Sequence, residues 1–297
     1  MKHFLLIITL ISVQFSFSQE FAFRSLNALP ISNNPAFTGV SSNPRLNYGI
    51  GATNLWFDTY SLQNYVSYDQ SVKLLHGGVG AALMHGTILG YQNSNTEFNL
   101  SYSFQQNLSE NFSLSIGTRL DLSQRRINVN EIYGMSNPTD SIQITNRANY
   151  ALSALVYSKK FFIGGVYAPF SYPTYWGEYE TVNTYSGVIG YNLTPFKNKN
   201  ISILGVVNYS YQDGFQTMTV QAALNTKKVS FGGSVTPRSY FTVFAGYQLG
   251  QFNFKAVTGI NSSPLTSATQ TSQELILQYR LPNPCNSVSK RFDLNLF

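Results

Sequence analysis

The chain has 297 residues, 19 basic and 13 acidic side chains for a net charge of +6, and only 11% charged residues; a soluble domain carries roughly 25%. Aromatics reach 15%, with 22 Phe and 20 Tyr, at a mean hydropathy of −0.09. Too few charges exclude an ordinary soluble globule, and no apolar run of about 18 residues is present to make a membrane helix. The charge is scattered, with short spots at Arg125-Arg126 and Lys159-Lys160, and forms no basic stripe for nucleic acid.

The chain opens like an export signal: Lys2, an apolar stretch from Phe4 to Val13, then Ser16-Phe17-Ser18 with small residues where a signal peptidase reads. Cleavage near Ser18 assigns residues 1–18 to the signal peptide. Residues 19–44 follow, with Pro30, Pro35, Pro44 and an Asn-rich middle that suits no strand. This segment is expected to plug a lumen or to line a periplasmic mouth.

From Arg45 to Arg280 the pattern has period two. Leu46, Tyr48 and Ile50 oppose Asn47, Gly49 and Gly51. Phe98, Leu100, Tyr102 and Phe104 oppose Asn99, Ser101, Ser103 and Gln105. After the turn at Asn107-Leu108-Ser109-Glu110, the stretch from Phe112 to Ser123 sets Leu114, Ile116, Leu120 and Leu122 against Ser115, Gly117, Arg119 and Asp121. A helix cannot gather such a set on one face, whereas a strand between lipid and lumen does. Later strands carry Phe241, Val243, Ala245 and Tyr247, then Phe252 and Phe254, then Leu275, Leu277 and Tyr279 against Glu274, Gln278 and Arg280.

Counting such windows gives an all-β chain, a transmembrane antiparallel barrel of about 14 strands over residues 45–280. Short connections fall near Leu75, Leu108 to Glu110, Ser158-Lys159, Asn225 to Lys227 and Gly250. Long ones fall at Gly86 to Ser94, Arg125 to Ala148, Pro169 to Val182 and Ile260 to Thr271. Outer-membrane barrels keep short turns in the periplasm and long loops outside, so both termini belong in the periplasm. Two outer connections, near Asp213-Gly214 and Pro237-Arg238, are short. Residues 281–297 form a tail in which Pro282 and Pro284 stop the last strand and Cys285 is the lone thiol, with no internal partner.

The chemistry-bearing residues are few. Beyond the signal only His76 and His85 remain, with no metal-ligand spacing around them. No Gly-x-Ser-x-Gly elbow supports a hydrolase. Gly77-Gly78-Val79-Gly80 lacks the Lys-Ser/Thr of a phosphate loop and is read as small residues where strands pack closely. No catalytic residue, metal or cofactor is assigned. Charges on the predicted lumen face group as Asp69 with Lys73, Arg119 with Asp121, and Glu274 with Arg280 and Lys255. They read as a pore lining or as an ion-pair network that stiffens the barrel. Tyr172, Tyr175 and Trp176 lie in an aromatic loop that is either a partner-binding surface or part of the interfacial girdle.

Asn34-Pro35-Ala36-Phe37-Thr38-Gly39, between the signal and the first strand, resembles the Asn-Pro-Ala-aromatic-x-Gly signature of the PorP/SprF family. These are outer-membrane proteins associated with the type IX secretion system of Bacteroidetes. The resemblance implies a non-enzymatic barrel that helps to export or anchor at the surface a secreted protein with a type IX C-terminal sorting domain, such as a gliding adhesin. Its partners would be that cargo, outer-membrane lipid and other secretion-system components. A channel for a small or hydrophobic solute, similar in architecture to the fatty-acid transporters, is the alternative. A hydrolase would require His76 or His85.

Overall fold

The computed structural model describes residues 30–41, 43–54, 60–89, 93–128, 142–173, 179–194, 201–237, 240–261 and 270–282. The expected signal peptide and most of the tail, Cys285 included, lie outside them. Fourteen antiparallel strands run in chain order: β1 (Arg45–Thr53), β2 (Tyr60–Val72), β3 (Gly77–Leu89), β4 (Asn93–Asn107), β5 (Ser113–Asn128), β6 (Ile142–Tyr157) and β7 (Phe161–Pro173) form the first half. The second half is β8 (Tyr179–Leu193), β9 (Ser202–Gln212), β10 (Phe215–Asn225), β11 (Val229–Thr236), β12 (Tyr240–Leu249), β13 (Phe252–Asn261) and β14 (Gln270–Arg280). Each pairs with its neighbours, and β1 closes the barrel on β14 from Arg45↔Arg280 to Thr53↔Ser272.

The alternation in sequence becomes the two surfaces of the wall. Leu46, Tyr48, Leu100, Ile116, Leu120, Leu152, Ile189, Phe241 and Leu275 are exposed, while Asn47, Ser67, Ser103, Ser115 and Gln278 are buried. A soluble protein does the opposite, and an apolar band running round the whole outside is a lipid-facing belt. Tyr167, Tyr185 and Tyr211 form a row across the outer face, 5.2 and 6.4 Å apart in succession, and at the short-turn rim Phe252 stacks on Tyr279 at 4.7 Å. Amphipathic rings favour the interface in this way.

The short connections share one end of the barrel with the start of β1 and the finish of β14. Three are fixed by hydroxyls: Phe112 N–H donates to Ser109 Oγ (3.2 Å), Phe161 N–H to Ser158 Oγ (3.1 Å), and Val229 N–H to Thr226 Oγ1 (2.9 Å). Such local side-chain caps set turn geometry without glycine. At the other end the strands run past their expected limits, to Leu89, Asn128, Pro173 and Asn261. Beyond the bilayer neither face of a strand need be apolar, so the alternation that marks it in sequence fades before the strand does.

One seam is short. β5 and β6 pair along their whole length, from Ser113↔Tyr157 to Asn128↔Ile142. β6 and β7 pair only from Leu152↔Tyr167 to Tyr157↔Phe162. In the same register the next pair able to exchange both bonds would be Tyr150 with Pro169, and proline has no N–H to give.

Candidate functional site: a motif seated in the lumen

The residues before β1 fold back against the inner wall at the short-turn end. A helical turn, Pro30–Asn33, is followed by the 3-10 turn Pro35–Phe37. Asn34 caps that turn, its Oδ1 accepting from Ala36 N–H at 2.9 Å, and Pro35 supplies a fixed φ at its first position. Gly39 then turns the chain with φ +63°, in the region glycine tolerates. A Cβ there would also meet Gly78 Cα at 2.6 Å and the Gln70 carbonyl oxygen at 2.7 Å. The Asn-Pro-Ala-Phe-Thr-Gly string is therefore a cap, a pre-set turn, a ring and a left-handed exit.

The wall receives this string group by group. Gly39 N–H donates to Asp69 Oδ2 at 2.9 Å, and Arg45 clamps the same carboxylate through Nε (3.0 Å) and Nη2 (2.7 Å). Arg45 Nη2 also reaches the Phe37 carbonyl at 3.4 Å. The pair is almost completely buried, with side chains 5% and 1% exposed; a charge so placed needs its partner and its remaining hydrogen bonds. Thr38 Oγ1 donates to Ser101 Oγ (3.0 Å), and its carbonyl accepts from Ser103 Oγ (2.7 Å) and Gln105 Nε2 (2.9 Å). Ser115 Oγ donates to the Ala36 carbonyl at 2.7 Å. Arg119 donates to the Ser32 carbonyl while holding Asp121 at 2.6 Å, and Ser32 Oγ meets Tyr65 OH at 2.9 Å.

Close approach is made possible by missing side chains. A Cβ on Gly78 would collide with the Thr38 carbonyl, and one on Gly117 with the backbone of Pro35 and Ala36. The run Gly77-Gly78-Val79-Gly80, expected to serve strand packing, does so only in part. Gly77 does face the Ser103 backbone of β4, but Gly78 and Gly80 make room for Thr38 and Gly39.

Phe37 completes the seat, its ring meeting Phe162 edge-on at 5.7 Å and 80°. With Ile31 and Val40 it belongs to one apolar cluster that crosses the lumen to Leu204, Val206, Ala223, Phe244, Val257 and Ile276. These last side chains sit on positions that the alternating pattern assigns to the lumen, and they are buried there.

The expected charge network divides. Asp69 pairs with Arg45, which stands directly opposite it in the β1–β2 register, and not with Lys73. Lys73 lies on the exposed turn Lys73–Leu75, because β2 ends at Val72 and the inward alternation ends with it. Arg119 and Asp121 form a second pair. Lys255, Glu274 and Arg280 face the lumen on β13 and β14, Lys255 Nζ lying 3.9 Å from the Phe244 ring centre and Arg280 Nε 3.3 Å from Gln278 Oε1. Arg45 shares the polar side of the first strand with Asn47 and Gly49, the one sign in the sequence that it faces the lumen.

His85 is on the outer face, its Nδ1 2.8 Å from Thr96 Oγ1, while His76 is on the turn at the opposite end of β3. Tyr175 and Trp176 lie outside the described residues; Tyr172 falls in β7, and its side chain is not described. What the arrangement does is hold residues 30–41 of its own chain against the inner face of a membrane barrel.

Solved outer-membrane proteins share the fold. A FadL homologue of Pseudomonas aeruginosa superposes with a TM-score of 0.53 at 8% identity, covering 84% of this chain and 93% of that one. A deletion mutant of TodX, a monoaromatic hydrocarbon channel, gives 0.53 at 8% identity over 86% and 94%. CymD, another monoaromatic hydrocarbon channel, gives 0.50 at 12% identity over 86% and 93%. At these identities the likeness is one of architecture. No curated protein sequence matches the chain. The model of the family described as "Type IX secretion system membrane protein PorP/SprF" matches residues 15–279. With a closed fourteen-strand wall, a lipid-facing belt and the Asn34–Gly39 motif seated inside it, this chain belongs to the PorP/SprF family of type IX secretion outer-membrane proteins.

Proposed function

We propose that the barrel helps to export a secreted cargo protein bearing a type IX C-terminal sorting domain, or holds it at the cell surface; a gliding adhesin is one such cargo. The family supplies the secretion context. The observation that carries the reading is the seated segment. A lumen crossed by Phe37, Phe162, Val206 and Phe244, with the Arg45–Asp69 pair beside them, is built to stay filled. Residues 30–41 act as a plug at the periplasmic mouth, and no catalysis takes place. The cargo engages from outside, through the loop that carries Tyr172, Tyr175 and Trp176 and the strand ends around it. Lipid and other secretion-system components are the remaining partners.

The test is affinity purification of the tagged barrel from crosslinked, mildly solubilised outer membranes, with mass spectrometry of what accompanies it. Recovery of one large secreted protein with a type IX sorting domain is the expected outcome. Recovery of the barrel alone overturns the reading.

A channel for a small or hydrophobic solute is the second reading, favoured by the fold shared with monoaromatic hydrocarbon channels and by the apolar cluster inside the wall. It requires conductance or uptake by the purified barrel that disappears when the N-terminal segment is crosslinked to the wall.

A further inference from the structure

β6 is taller than the strand beside it. Its ladder with β7 stops at Leu152↔Tyr167, yet its ladder with β5 continues to Asn128↔Ile142. Carried on in register, Asn146 would stand opposite Pro173, the last residue of β7, and Ile142 to Thr145 would stand beyond its end. A tilted strand crosses the bilayer in about 9–11 residues. Counted from Tyr157 at the short-turn end, that length is used up near Arg147 to Asn149. Ile142 to Asn146 therefore rises past the membrane on the side of the long connections, which in this architecture is the cell surface.

The direction of the amides along this edge follows from two bonds. Ser158 N–H donates to the Phe161 carbonyl across the β6–β7 turn at 2.7 Å, so even-numbered residues of β6 point toward β7. Asn128 N–H donates to Asn93 Oδ1 on the β4 side at 2.9 Å, so its partner Ile142 also points away from β5. Ile142, Ile144 and Asn146 thus direct N–H and C=O outward from the sheet, and among the described residues no strand continues the ladder there. Natural proteins blunt such edges with proline or an inward charge. β7 carries Pro169 and Pro173, but Ile142-Gln143-Ile144-Thr145-Asn146 has neither. Ile144 is 60% exposed and Ile142 43%. Opposite Thr145 and Ile144 on β5 stand Arg125 and Arg126, both exposed.

We infer that Ile142 to Asn146 is a strand-addition site on the cell surface, where an extended acidic segment of the secreted partner pairs with the edge of β6. Main-chain bonds to Ile142, Ile144 and Asn146 hold it. Apolar residues at every second position match the two isoleucines, and Arg125 with Arg126 selects the negative sequence. The inference rests on the cargo reading above and names the surface that serves it.

The test places a photoreactive benzoylphenylalanine in turn at Ile142, Ile144 and Asn146 of the full-length chain in intact cells, with Val235 on the far wall as the reference position. Strand addition expects adducts on one secreted protein, within one acidic stretch, at sites that move by two residues as the probe moves by two. With the probe at Ile142, Ile144→Pro should abolish the adduct. It removes an edge N–H while sparing the β5–β6 ladder, and assembly is checked by heat-modifiable migration. Should Ile144→Pro not assemble, Arg125→Glu with Arg126→Glu is the second variant, expected to lower adduct yield about tenfold. Adducts to a second copy of the barrel, adducts to lipopolysaccharide only, or yields no higher than at Val235 overturn the inference. If an assembled Ile144→Pro barrel still co-purifies with its cargo, the edge is refuted and the cargo reading stands. If the unaltered barrel yields no cargo, both fall together.

Discussion

Strands β2 to β5 meet the lumen with Asp69, Ser101, Ser103, Gln105, Ser115 and three glycines that the motif approaches, whereas β9 to β14 meet it with Leu204, Val206, Ala223, Phe244, Val257 and Ile276. One arc recognises a segment through directed hydrogen bonds, and the other closes over it with non-directional contact. Hydrogen bonds fix where Asn34 to Gly39 sits, because each holds only within a narrow range of distance and angle. Apolar burial rewards filling but hardly discriminates position. Position should accordingly be lost from the first arc and stability from either.

The sharpest way to break the difference is to deny the motif its space. Gly78→Leu or Gly117→Leu puts a side chain where Thr38 or Ala36 already lies, so the segment should leave the wall altogether. Proteolysis from the short-turn side in proteoliposomes, slow at residues 30–41 of the parent, should become rapid. Asp69→Ala comes next. Removing one member of a buried pair costs about 3–5 kcal/mol, and here it leaves Arg45 without its carboxylate and Gly39 N–H without an acceptor. Exchanging the two residues should fail to restore stability, since Arg at 69 cannot accept from Gly39. Thermal unfolding in detergent micelles measures both.

Phe37→Ala and Phe244→Ala sharpen the contrast. Each deletes a ring from the same cluster, at about 3 kcal/mol, and both should lower the unfolding temperature. Only Phe37→Ala should also quicken proteolysis of residues 30–41; equal effects would dissolve the distinction between the arcs. Ser115→Ala has the smallest effect, about 1 kcal/mol for one hydrogen bond to the Ala36 carbonyl, and should leave the segment seated.

The wall was readable because each residue from Arg45 to Arg280 answers to one of two solvents, lipid or lumen. Phe112 to Ser123 declared its strand in the identities of alternate residues alone. The tops of β5 and β6 were not readable, for Arg125 to Asn128 and Ile142 to Asn146 stand above the bilayer where that rule lapses. The motif could be seen but not its seat. Its partners, from Asp69 on β2 to Ser115 on β5, are brought together only by the pairing of successive strands, and a lone serine in a strand reads the same whether it faces water or a carbonyl. Lys73 was misplaced by carrying the alternation one step past Val72, where the strand gives way to a turn.

The order of these contacts along the chain bears on how the barrel comes to be built. Among the described residues, the side chains that seat Asn34 to Gly39 by hydrogen bonds belong to β1 through β5. A nascent sheet of those five strands already holds the polar half of the cradle, curved and open along one side. The segment can lie down in it before β6 to β14 are added and before β14 finds β1. Nothing then has to be threaded through a finished ring, and the wall grows around a template that it already grips.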